Sequence, residues 1–148
     1  MTVVSTTTAN VKQAVPFLGV TNMESSLRFY VDGLGFKMKN YWIPDRAEDH
    51  PDGRVRWCWL QLGDAAIMLQ EFLQEHQPKE TLGTGASVSF MCEDALALHR
   101  EFKSRGIKTR KRPFVGNRLW VVPLADPDGY RIEFASPTNA PEESELAE

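Results

Sequence analysis

Glu133 stands at the centre of the strand-like run Tyr130-Arg131-Ile132-Glu133-Phe134, directly after the turn sequence Asp126-Pro127-Asp128-Gly129. Proline presets φ for a turn and glycine accepts φ > 0, so these four residues reverse the chain and feed a strand. Alternation then puts Ile132 and Phe134 on one face and Arg131, Glu133 and Ala135 on the other. A carboxylate there is solvated, paired, or used chemically: as a metal ligand, a general base, or an anchor for a cationic or hydroxyl group of a ligand. Three arginines are candidate partners: Arg56, Arg118 just before the neighbouring strand, and Arg131 on the same face.

A second group with recognisable chemistry is Val55-Arg56-Trp57-Cys58-Trp59-Leu60-Gln61-Leu62. Trp57, Trp59 and Gln61 share one face of this strand, and Cys58, Leu60 and Leu62 share the other, which suits a helix-packed core. Two indoles beside Met68 and Gln70 form a flat wall able to stack an aromatic or heterocyclic ligand. The same pair also suits core or dimer-interface packing. Trp42 and Trp120 are strand residues with no face assigned.

Other chemistries find little support. His50 lies in the polar loop before Val55, His76 follows the strand ending near Phe72, and His99 sits on a helix surface, with no HxxxH spacing to group them. Cys58 and Cys92 lie in separate apolar stretches without CxxC spacing and read as free thiols. No Ser-His-Asp arrangement or Gly-rich phosphate motif offers a catalytic route.

The elements that must position these residues are written twice. Val15 to Val20 reads as a strand, Asn22 as a helix N-cap, and Leu27, Tyr30, Val31 and Leu34 recur at helical spacing before Gly35. Ser87 to Cys92, the cap Asp94, and Leu96, Leu98, Phe102 and Gly106 repeat the pattern about 72 residues later. Strands are expected over Phe36 to Ile43, Val55 to Leu62 and Ala65 to Phe72, then over Lys108 to Phe114, Leu119 to Ala125 and Tyr130 to Ser136. Each half therefore reads βαβββ. The expected fold class is α+β: two tandem modules whose curved mixed sheets surround a cleft, with helices outside.

At 148 residues and 42% apolar content, the chain has enough core for one domain. We expect an extension over residues 1–12, a domain over 13–137 (modules about 13–75 and 84–137) and an acidic tail over 138–148 that is disordered or loosely docked. Glu142, Glu143, Glu145 and Glu148 of that tail account for the net charge of -3, leaving 16 acids against 17 bases elsewhere. A nearly neutral body argues against nucleic acid as a partner. With no signal-peptide pattern or membrane span in the sequence, the expected location is cytoplasmic.

Ser26-Leu27-Arg28-Phe29-Tyr30 with Leu34-Gly35-Phe36, together with Asp126 to Phe134, resembles the vicinal oxygen chelate superfamily. That group contains glyoxalase I, bleomycin resistance proteins, fosfomycin resistance transferases and extradiol dioxygenases. Its metal-dependent members hold one divalent ion with four side chains from the first and last strands of each half. Carried onto this chain, those positions are Val15, Met68 (Gln70 after a two-residue slip), Ser87 and Glu133. Only Glu133 keeps a ligand-type side chain, and one carboxylate cannot replace the hydration shell of a hard cation. The resemblance therefore implies a non-enzymatic binding protein of the bleomycin resistance type, a homodimer with no cofactor. Trp57, Trp59, Met68, Gln70, Glu133 and Arg118 would face an aromatic or antibiotic-like ligand. The alternative is a glyoxalase-like lyase or isomerase, or an extradiol-type dioxygenase, with Zn, Ni, Mn or Fe held partly by Glu133.

Overall fold

The computed structural model describes residues 9–44 and 53–147. His50 falls outside them. Two four-stranded mixed sheets carry the fold, as the doubled sequence pattern predicts. The first is ordered β1-β4-β3-β2, from Phe17–Val20, Lys37–Trp42, Trp57–Leu62 and Ala65–Glu71. The second is ordered β5-β8-β7-β6, from Ser87–Met91, Phe114–Gly116, Leu119–Ala125 and Arg131–Pro137. In each, the first strand runs parallel to the last and the other pairings are antiparallel.

Each crossover from first to second strand contains a helix. In α1 (Met23–Leu27), Asn22 Oδ1 caps the N-terminus by accepting from Ser25 N–H at 3.0 Å. The chain then widens over Arg28–Gly33, where Leu34 N–H reaches Phe29 O at 2.9 Å, an i→i+5 bond. In α2 (Ala95–Ser104), Asp94 plays the capping role toward Ala97 N–H. Among the described residues, no helix is long and apolar enough to cross a membrane.

Both helices and the inner faces of both sheets share one core, with Val20, Tyr30, Leu60 and Leu69 of the first module beside Phe90, Phe102, Val122 and Phe134 of the second. Phe90 joins the halves, packing 5.5 Å from Phe36 and 5.1 Å from Phe134 between ring centroids.

The turn Asp126 to Tyr130 also joins them. Tyr30 donates its hydroxyl to Asp126 Oδ2 at 2.8 Å, Tyr130 donates to Gly19 O at 2.8 Å, and Thr21 Oγ1 donates to Asp128 at 2.5 Å. Burial raises the Asp126 pKa, against hydrogen bonds from Tyr30, Tyr130 and Asp128 that favour its charged form.

Two expectations are corrected here. Strand β6 covers only Phe114–Gly116, whereas it was expected over Lys108 to Phe114. Arg110 instead fastens the preceding segment to β7, its N–H donating to Pro123 O and its Nε to Leu124 O. The acidic tail is docked along the edge of β6, so of its two expected states, disordered or loosely docked, the first is corrected. Val115 N–H donates to Ser144 O, Glu143 N–H to Val115 O and Leu146 N–H to Pro113 O, each at 2.9 Å. Asn117 and Arg118 adopt left-handed φ values of 53° and 64°, and the Glu142 carboxylate accepts both of their N–H groups at 2.7 and 3.0 Å. An unpaired strand edge and two free turn donors are what the tail satisfies, and both are backbone features hidden from composition.

Candidate functional site

Outside the core, each sheet presents a second face. On the first sheet the register Phe17↔Met68↔Trp59↔Asn40 makes one row, and Gly19↔Gln70↔Trp57↔Trp42 makes the next. Trp57, Trp59, Met68 and Gln70 are therefore brought together as expected, and they gain Phe17 and Trp42. Trp59 donates its ring N–H to Gln61 at 3.3 Å, which fixes one indole against its own strand. Phe72 lies directly over Gly19, where any side chain would collide with its ring. The face stays uncovered in one chain, since Phe17 is 53% and Trp42 49% exposed. Trp120 belongs elsewhere: it pairs with Ser136 and packs against the core.

On the second sheet, Ser87 lies opposite Arg131 and Ser89 opposite Glu133. Glu133 is half-buried and accepts the Ser89 hydroxyl at 2.5 Å. None of the arginines expected beside it is its partner. Arg56 is spent on Glu71, Arg131 forms no ion pair among the described residues, and Arg118 is held in the β6–β7 turn. Ser89, directly opposite on β5, brings its hydroxyl to the acid, whereas Arg131 is a same-strand i, i+2 neighbour about 6–7 Å along the backbone. The expected site residues thus fall into three places: the first sheet's open face, the second sheet's open face, and the β6–β7 turn.

The family's metal positions divide between the two sheets. Met68 lies opposite Phe17 and Gln70 opposite Gly19, and Met68 N–H donates to Pro16 O at 2.9 Å, so Met68 is the nearer of the two to Val15 along the β1–β4 pairing. Ser87 and Glu133 sit two rungs apart on the other sheet. Valine offers no donor, methionine a soft thioether and serine a neutral hydroxyl, so this set does not fit a hard divalent ion. Among the described residues, no group of three His, Cys, Asp or Glu side chains could hold one either. His76 is exposed in the turn Gln74–His76, and His99 is a half-buried residue of α2.

Sequence reasoning missed Glu71. Its carboxylate is 8% exposed on the core side of β4, ion-paired with Arg56 and with Arg54 at 3.1 Å, and it accepts Met23 N–H at 2.6 Å. The sequence signal was an acid on the apolar side of a strand. It ties the start of α1 to the sheet. Both cysteines are free, and burial pushes the Cys58 thiol up to about 11.

Lactoylglutathione lyases of Neisseria meningitidis serogroups A and B are 28% identical to this chain over 122 residues, covering 79% of it and 84% of theirs. Among solved structures, the fold is shared with the bleomycin-binding protein of Streptomyces verticillus, complexed with copper(II)-bleomycin (TM-score 0.63, 21% identity, 87% of this chain and 98% of that one). It is shared also with an antibiotic binding protein from Streptomyces sp. CB03234 (TM-score 0.62, 19% identity, 88% and 100%). The family model matches residues 11–134, and the chain belongs to the Glyoxalase/Bleomycin resistance protein/Dioxygenase superfamily.

Proposed function

We propose that this chain is a non-enzymatic small-molecule-binding protein of the bleomycin resistance type, taking an aromatic or antibiotic-like ligand on the open face of its first sheet. One observation carries the reading: Trp57, Trp59, Met68, Phe17 and Trp42 line an accessible face, while the metal positions retain a single ligand-type donor, Glu133. Planar apolar side chains on a rigid sheet suit stacking, and Gln70 and Gln61 add polar groups that orient a guest. The shared fold with bleomycin-binding and antibiotic binding proteins supports the same reading. No cofactor is required.

The open faces also favour a homodimer. Phe17 at 53% and Met91 at 61% exposure leave apolar surface on both sheets that a second copy would cover, enclosing the ligand between chains. A cytoplasmic location and a part in antibiotic resistance by sequestration belong to the same proposal.

The alternative, a metal-dependent glyoxalase-like enzyme, is favoured by the lactoylglutathione lyase relatives. The two divide on metal content. Protein purified without chelator should carry no stoichiometric Ni, Zn, Mn or Fe by elemental analysis, and calorimetric titration with these ions should show no tight site. One equivalent of firmly held metal would overturn the binding reading in favour of the enzyme.

A further inference from the structure

A cavity of about 410 Å³ opens where β5 and β8 begin, lined by the loop 81–87 together with Gly129 and Arg131. Arg131 is exposed on the open face, opposite Ser87, and enters no ion pair among the described residues. The loop across from it is short-chained and polar, Thr81 to Ser87. Gly83 and Gly85 take φ values of 75° and 80°, and a turn closes from Ala86 N–H to Gly83 O at 3.0 Å. Thr84 adds a hydroxyl, itself held to Thr81 O at 3.1 Å.

Tyr130 ties the loop to the first module. The Tyr130 ring packs on Gly83, and its hydroxyl is fixed on Gly19 O of β1. A cavity lined by one guanidinium and a polar, glycine-rich loop is an arrangement that can receive an oxyanion. Of the acids around it, Glu133, two residues along β8, is engaged by Ser89, and Asp128, beside Gly129, is engaged by Thr21. No sequence motif announces this group, because Arg131 and the loop meet only through the pairing of β5 with β8.

We propose that this cavity recognises an oxyanion group, carboxylate or phosphate, on the small molecule that the open faces bind. For the identity of the carrier molecule, this rests on the reading under Proposed function; the anion site itself can be tested alone. Glu133 then disfavours a second negative charge further along the strand, so the expected guest combines an aromatic plane, one oxyanion and an otherwise neutral or cationic body.

The test titrates isotope-labelled full-length protein with acetate and, separately, with inorganic phosphate at constant ionic strength, following backbone amide resonances. Saturable shifts centred on Gly83, Gly85 and Arg131 are expected with at least one anion, and the two arms decide which oxyanion is preferred. Arg131→Gln, an exposed substitution, should weaken that affinity at least about tenfold, the scale of one lost charge-assisted contact. Shifts that fail to saturate, or that survive Arg131→Gln unchanged, would overturn the site.

A second readout compares tryptophan quenching by naphthoate, naphthyl phosphate and uncharged naphthalenemethanol. Preference for an anionic form, lost in Arg131→Gln, supports the proposal. Equal quenching by all three overturns it and leaves the aromatic face standing. Quenching by none removes the aromatic face, and the acetate and phosphate shifts then decide the anion site by themselves.

Discussion

Replacing Tyr30 by Phe removes one hydroxyl from a fully buried ring and leaves its volume almost unchanged, so the substitution isolates the bond to Asp126. That bond, 2.8 Å from phenol oxygen to Oδ2, is the buried tie between the first helix and the Asp126 to Tyr130 turn. A hydrogen bond to a charged acceptor contributes about 1.5–3 kcal/mol, and its loss leaves the carboxylate of Asp126, a residue 5% exposed, without that donor. We therefore expect Tyr30→Phe to cost roughly 2–3 kcal/mol at neutral pH, a fall in Tm of about 5–10 °C for a chain of this length. Burial raises the folded pKa of Asp126 above its ordinary 3.8. A raised acid contributes stability when protonated, fully present below the unfolded value and lost as pH rises through the folded one. The Tyr30 bond offsets part of that loss, so its removal should matter most at neutral pH. Below the ordinary aspartate value, where the carboxyl is neutral, the cost should shrink to about 0.5–1.5 kcal/mol. Urea denaturation at both pH values measures this, with exposed Tyr41→Phe as control. An equal cost at the two pH values, or one below about 0.5 kcal/mol at neutral pH, would refute the reasoning.

Gly19→Ala should destabilise by about 1–3 kcal/mol through collision with the Phe72 ring, and Phe72→Ala in the same chain should relieve that specific clash, measured as non-additivity in a double-mutant cycle. Glu71→Gln strips the negative partner from Arg56 and Arg54 and should cost about 3–5 kcal/mol by chemical denaturation, whereas a change under 1 kcal/mol would show the network to be dispensable. In a Cys92→Ser variant, the remaining Cys58 thiol, fully buried and pushed up to about 11, should react with a disulfide reagent only as fast as the protein opens; rapid reaction at neutral pH would contradict its burial.

The strand faces around Trp57, Trp59 and Glu133 were legible because period-two alternation is local to each strand. Met68 against Gln70 was not, since a two-residue slip keeps the same face and only the parallel pairing with β1 separates them. Arginine partners for Glu133 failed for a related reason. Charge complementarity in sequence ignores which hydroxyl arrives opposite, and the β5–β8 register brings Ser89. The motif residues Tyr30 and Asp126 to Tyr130 identified the family correctly, yet their visible work is to fasten the two modules together. Much of that motif is thus structural, which is why it specifies fold so much better than chemistry. Where the tail docks was illegible because an unpaired β6 edge and a left-handed turn recruit it through backbone groups.

The central claim, an aromatic wall that binds without metal, is tested most directly by titrating chelator-treated protein with a cationic aromatic ligand and following tryptophan emission. The account predicts saturable quenching that is largely lost when Trp42, Trp57 and Trp59 are all changed to Phe, with Trp120, which packs against the core, left as the internal emitter. Unchanged wild-type emission, or quenching that appears only after a divalent metal is restored, would contradict it.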